Sequence, residues 1–268
     1  MKNRLFHSSS AGQGSQTAAR AFTVMELMIV IAIIAILAAI SLPRLRGLGE
    51  SNAMKAGTKQ LLDDLKFARQ KAISGRTTVA VMFVSSDVAS INPNNAAYDA
   101  KEAAQIKRLQ GGIYTQYALF SFRDLGEQPG RSSPHYLTAW RTLPDKIFVP
   151  DGKFTTGTAD GIDPFDTVRF PFPFTRSKNQ ELPCIAFDYE GRLFNLDNQG
   201  QGGGSLHTGN ITIPLARGAI FYTRDAADVV TGFDAQEIPP NNSIDNYNHI
   251  VIDWLTGRAK LERADIIK

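Results

Sequence analysis

The sequence predicts an α+β fold, a long N-terminal helix with a membrane-spanning half and an amphipathic half, packed on an antiparallel β-sheet body. Two observations predict it. Residues 22–42 carry a single charge, Glu26, in an otherwise apolar run. From residue 77 onward, β-branched and aromatic runs are broken by Gly, Pro, Asn and Asp, the punctuation of short strands.

As a helix, the first run covers ~31 Å at 1.5 Å per residue, about one hydrocarbon core. An acid at the bilayer centre costs ~2.5 to 3.5 kcal/mol, less than the many Leu, Ile, Val and Phe of this run contribute together. The helical pattern resumes after Pro43. Met54, Thr58, Leu61, Leu65, Ala68 and Ala72 recur at steps of four and three, whereas Lys59, Asp63, Lys66 and Arg69 fall off that stripe. Ser74 and Gly75 close the pattern with a left-handed cap. Strands follow at 77–84, 112–122, 183–196 and 210–223. A hairpin at 248–263 turns at Thr256 and Gly257, with Ile250, Ile252 and Trp254 on one face. "TTVAVMFV" at 77–84 is apolar on both parities, which predicts burial on both faces. The stretches 85–111, 124–140, 151–181 and 225–247 are predicted to be long loops, the places where partner contacts concentrate.

Charge excludes one class of function as a default. The chain has 29 Lys and Arg against 26 Asp and Glu, a formal net charge of +3. Residues 1–21 hold Lys2, Arg4 and Arg20 and no acid; 29 less three leaves 26, equal to the acids downstream. Without its first 21 residues the chain is neutral, so bulk attraction to nucleic acid is not expected. The terminal hairpin and tail, with Arg258, Lys260, Arg263 and Lys268, form the best local DNA-contact candidate, diluted by Glu262 and Asp265. Cys184, the single cysteine, cannot form an internal disulfide and is expected to be buried in a strand. The histidines His7, His135, His207 and His249 are scattered, no nucleophile motif is present, and no enzyme activity or cofactor is expected. Asp160, Asp163 and Asp166 in "TADGIDPFD" are a weak calcium candidate, since their spacing is not that of an EF-hand. The run "RFPFPF" at 169–174 either docks a partner or clamps a loop onto the core, and core packing is expected.

A secretory signal peptide places its cleavage site after the apolar run. Here the polar, acid-free segment "MKNRLFHSSSAGQGSQTAAR" precedes that run. With it, "AFTVMELMIVIAIIAILAAISLP" resembles the N-terminal processing and methylation segment of type IV pilins and pseudopilins. The resemblance implies cleavage between Ala21 and Phe22 by a prepilin peptidase, with N-methylation of Phe22. It makes Glu26 the fifth mature residue and Pro43 the helix-kinking proline. Ala21 stands where the family usually has Gly. Glu26 is implied to engage the Phe22 amine of a preceding subunit, which sets register in a filament and supplies the partner that a buried carboxylate needs. "RTLPDKIFV", "IAFDYEGR" and "VIDWLTGRAKL" are similar, more weakly, to motifs of the GspH/FimT-like minor pseudopilins.

The domains implied are a leader at 1–21, a transmembrane and assembly helix at 22–42, its amphipathic half at 43–76 and a β-rich, pilin-like domain at 77–268. The function implied is that of a minor pilin or pseudopilin in a type IV pilus or a type II secretion pseudopilus. Its partners would be other pilin-like subunits, the prepilin peptidase, an inner-membrane assembly platform, and membrane lipid before assembly. The expected location is the inner membrane, single-pass, with the N-terminus cytoplasmic and the body periplasmic. Two alternatives rank behind it: a DNA-uptake minor pilin, and a membrane-anchored exported enzyme or sensor.

Overall fold

The computed structural model describes residues 23–124, 127, 133–155, 163–197, 203–245 and 248–263, with the side chains of 40–51 left aside. The chain divides into two units, Met1–Leu48 and Gly49–Lys268. Helix α1 (Val24–Gly75) belongs to the first with residues 24–48 and to the second with 49–75.

Within the second unit α1 ends at a specific stop. Thr77 N–H bonds to Ala72 C=O at 3.1 Å and Arg76 N–H to Ile73 C=O at 3.3 Å. These are the two bonds of a Schellman motif, and its left-handed residue is Arg76 (φ 47°) rather than the Gly75 expected from sequence.

The remainder is mainly β. One sheet has eight strands: β1 (Val79–Phe83), β2 (Gln116–Ser121), β3 (His135–Tyr136), β4 (Arg141–Thr142), β6 (Asp166–Pro171), β7 (Asn179–Phe187), β8 (Leu193–Leu196) and β9 (Gly204–Leu206). Its order is β3-β2-β1-β7-β8-β9, with β4 beside β2 and β6 beside β7. The second sheet has five: β5 (Ile147–Phe148), β10 (Ile211–Arg224), β11 (Val230–Glu237), β12 (Asn248–Ile252) and β13 (Ala259–Arg263), ordered β11-β10-β12-β13 with β5 beside β10. Every pairing is antiparallel. Among the described residues two short α-helices, α2 (Ala100–Gln110) and α3 (Asn242–Asp245), and two 3-10 turns at Ser86–Ser90 and Asp151–Lys153 complete it.

Two cores result from the period-2 alternation of β1. Val79, Val81 and Phe83 join Leu61, Leu65, Ala68 and Ala72 of α1 with Ile213, Leu215, Ile250 and Ile252 of the second sheet. Ala80 and Met82 face the opposite way, toward Ile106 and Leu109 of α2, Phe120, Phe170 and Phe172. All of β1 is therefore buried, and each large side chain so covered contributes ~1.5 to 3 kcal/mol.

The α+β architecture predicted from sequence is overturned. The body is mainly β, with two antiparallel sheets where one was expected, and α1 adds to its core only a short stripe near its C-terminal end. Segments read as loops hold regular structure: α2 lies within 85–111, β3 within 124–140, β6 within 151–181, and β11 within 225–247. The spanning half fails as well. Among the described residues no helix is long and apolar enough to cross a membrane. The single-pass inner-membrane location drawn from that span, and the membrane and pilin-fold assignments with it, are corrected accordingly.

Candidate functional site

Ala21 and Phe22, the predicted cleavage and methylation positions, lie outside the described residues, so geometry begins at Thr23. Thr23 caps α1: its Oγ1 accepts from Glu26 N–H at 3.2 Å and its carbonyl from Leu27 N–H at 3.1 Å. Glu26 thus occupies the third helical position of a Thr-x-x-Glu start, where an acid is also favoured by the helix dipole. Among the described residues its carboxylate has no hydrogen bond or ion pair. Along residues 24–39 every side chain is exposed, with Val24, Met25, Ile31, Ile34 and Ile36 between 58% and 77%. Helices apolar all round are buried in one medium or another, so this one is an uncovered surface. Pro43 falls inside continuous α1, and its side chain is not described.

The proposed DNA contacts do not gather. Arg258 and Lys260 share a face of the hairpin with Glu262, and Lys260 Nζ is 2.6 Å from the Glu262 carboxylate. That hydrogen bond, with the carboxylate charge behind it, raises the Lys260 pKa and commits its charge locally. Arg263 is one residue out of phase, on the other face, and Lys268 lies outside the described residues. The turn itself is tied elsewhere. Arg69 of α1 donates from Nε to Thr256 C=O at 2.7 Å and to Gly191 C=O at 3.1 Å, holding two loop turns at the end of the helix.

Of the calcium candidate only Asp163 and Asp166 are described. Asp160 is outside the described residues, and Asp166 opens β6 opposite Cys184. Near Asp163 and Asp166 the cation is the protein's own: Lys153, 2% exposed, donates to Asp163 C=O and sits 4.7 Å from the Phe165 ring centroid. Burial pushes its pKa down to about 8, while Asp163 and Asp166 pull the other way. The folded state thus binds fewer protons than the unfolded chain between about 8 and 10.5, so stability rises with pH across that interval. We expect urea unfolding to show a gain of up to ~3 kcal/mol between pH 8 and 10. A fall should follow above pH 10, because buried Tyr114, Tyr117 and Tyr136 keep protons that the unfolded chain sheds. Lys153→Met should abolish the rise and keep the fall; an unchanged rise would refute this assignment.

Cys184 is fully enclosed, and burial raises its thiol pKa well above the ordinary range, leaving it inert. Of the "RFPFPF" run, Phe170 and Phe172 are buried in the second core, but Phe174 is 41% exposed. It borders a cleft that the sequence did not disclose, described below. A separate cavity of about 430 Å³ between β5 and β10 has mainly apolar and backbone walls, including Leu143, Pro144, Ile147 and Gly218. Among the described residues no three His, Cys, Asp or Glu side chains stand close enough to hold a metal.

No protein-family model matches the chain, and no curated protein and no solved structure matches it. The resemblance around Phe22 and Glu26 accordingly stands on those residues alone.

Proposed function

We propose that this chain is a structural subunit of a helical filament, of the minor pilin or pseudopilin kind that its N-terminal segment resembles. In this reading a prepilin peptidase cleaves between Ala21 and Phe22, and the mature chain joins other pilin-like subunits on an assembly platform through the first half of α1. The observation that carries it is the uncovered apolar surface of residues 24–39. Each large side chain covered there by a neighbouring subunit returns ~1.5 to 3 kcal/mol. Glu26 has no charge partner among the described residues, and the amine at Phe22 of a neighbour would provide one. The proposal rests on these residues and not on a membrane span.

Cross-linking tests it cleanly, since the single native thiol is buried. Ile34→Cys in the full chain, expressed in its source and treated with a short bismaleimide, should give covalent dimers and higher multiples. Glu26→Val should reduce them strongly, and mass spectrometry should find N-methylated Phe22 at the terminus. Monomers alone for cysteines placed at Leu27, Ile31 and Ile34, or a retained Met1, would refute the proposal.

A further inference from the structure

A cleft of about 350 Å³ opens between α2 and the segments around Trp140 and Phe174. Its floor is aromatic and its polar ends are already used. Trp140 Nε1 donates to Pro173 C=O at 3.2 Å, and Tyr136 hydroxyl donates to Pro171 C=O at 2.6 Å. Trp140 also meets Phe172 edge-on with centroids 5.5 Å apart, which fixes its plane. Both rings therefore present carbon faces and edges to the opening, beside the exposed ring of Phe174.

The rim is polar and uncommitted. Arg108 and Gln105, one turn apart on α2, and Thr175 line the cleft. Among the described residues, none of these three side chains has a hydrogen-bond or ion-pair partner. A half-buried aromatic floor, its Trp140 plane fixed, with an unpaired guanidinium, a carboxamide and a hydroxyl around it selects on several properties at once. A fatty chain would use none of the three polar groups, and a bare inorganic anion would ignore the rings. Tyr136 and Trp140 are tilted 54° to each other, with centroids 5.8 Å apart, so they make a corner and not the parallel slot that suits a flat base.

We propose that this cleft binds an acidic saccharide, a hexuronic acid unit within an oligosaccharide. The puckered ring offers an apolar C–H face to Trp140 and Phe174. Its hydroxyls are matched to Gln105 and Thr175, and its carboxylate takes the fork of Arg108. The volume falls at the lower end of small-molecule sites, enough for one unit and part of its neighbours. This binding is independent of filament assembly, since none of its residues is in α1.

The chain has two tryptophans, so Trp254→Phe leaves Trp140 as the sole indole reporter. Tri-galacturonic acid titrated into that full-length variant should change Trp140 emission saturably, and calorimetry on the unsubstituted chain should give the same affinity. Arg108→Gln should weaken binding about tenfold, as should methyl esterification of the sugar. The ester should bind the variant and the unsubstituted chain alike. No saturable change at millimolar sugar, equal affinity for acid and ester, or tighter binding of a nucleoside monophosphate would each overturn the proposal.

Discussion

Gly257→Ala should cost ~3 to 5 kcal/mol of stability, although it adds only one methyl group, at a buried position of a turn. Gly257 has φ +59°, a conformation that side chains resist, and a Cβ there would stand 1.9 Å from Gly191 C=O. The oxygen it meets is backbone, so relief requires the two turns to separate. Both of them hang on Arg69, and parting them breaks at least one of its two hydrogen bonds. The two share one Nε–H, a three-centre bond worth ~1.5 to 3 kcal/mol from a charged donor, less in so far as water replaces it. For a body of this size ~1 kcal/mol moves the melting temperature by ~2 to 4 °C, so a fall of roughly 10 °C is expected by calorimetry. Gly209→Ala is the matched control, because nothing lies within 4 Å of its Cβ position. Equal melting temperatures for the two variants would show that the turns do not touch.

Asp64→Ala should cost ~2 to 4 kcal/mol through a different mechanism. Asp64 is 5% exposed on α1 and accepts from Tyr117 hydroxyl at 2.6 Å and from Arg141 Nη1. Gln60 completes the group, donating to Tyr117 hydroxyl and to Thr142 C=O at 3.0 Å each. Four residues on α1, β2 and β4 are thereby fixed in one register. Truncating the carboxylate leaves the buried Tyr117 O–H without its acceptor, whereas Arg141, 43% exposed, turns to water at little cost. Tyr117→Phe removes that orphaned donor. In a double-mutant cycle by urea unfolding, the pair should cost less than the two single changes added together; strict additivity would mean that the contact is not energetically coupled.

Much of the local structure was legible because it is written in short spacings. The stripe from Thr58 to Ala72, the two-sided burial of β1 and the hairpin around Gly257 all follow from neighbours a few residues apart. Helix α2 carries an equally local signal. Asp99 and Glu102 form a capping box, with Asp99 Oδ1 accepting at 2.7 Å and Glu102 Oε2 at 3.0 Å, just ahead of an apolar periodicity. Thr23 and Glu26 spell the same start. What sequence could not disclose is pairing at a distance. β1 finds β7 about a hundred residues later, and β5 finds β10. Those choices split the strands into two sheets where local pattern suggested one. The aromatic cleft was hidden for the same reason, since Arg108, Trp140 and Phe174 meet only after both cores close. Around Asp163 sequence could not tell that Lys153, ten residues upstream, folds back to donate to its carbonyl.

The two bonds made by Arg69 join it to residues 122 and 187 positions further along. A ribosome adding ~5 to 20 residues per second takes roughly 10 to 40 s between releasing Arg69 and releasing Thr256. Until late in that interval Leu61, Leu65, Ala68 and Ala72 lack Ile213, Leu215, Ile250 and Ile252, which complete their core. The nascent chain therefore offers a holding chaperone a greasy ribbon for tens of seconds. Synonymous codon changes that slow translation between residues 191 and 256 should lengthen that window, without altering a single atom of the finished protein.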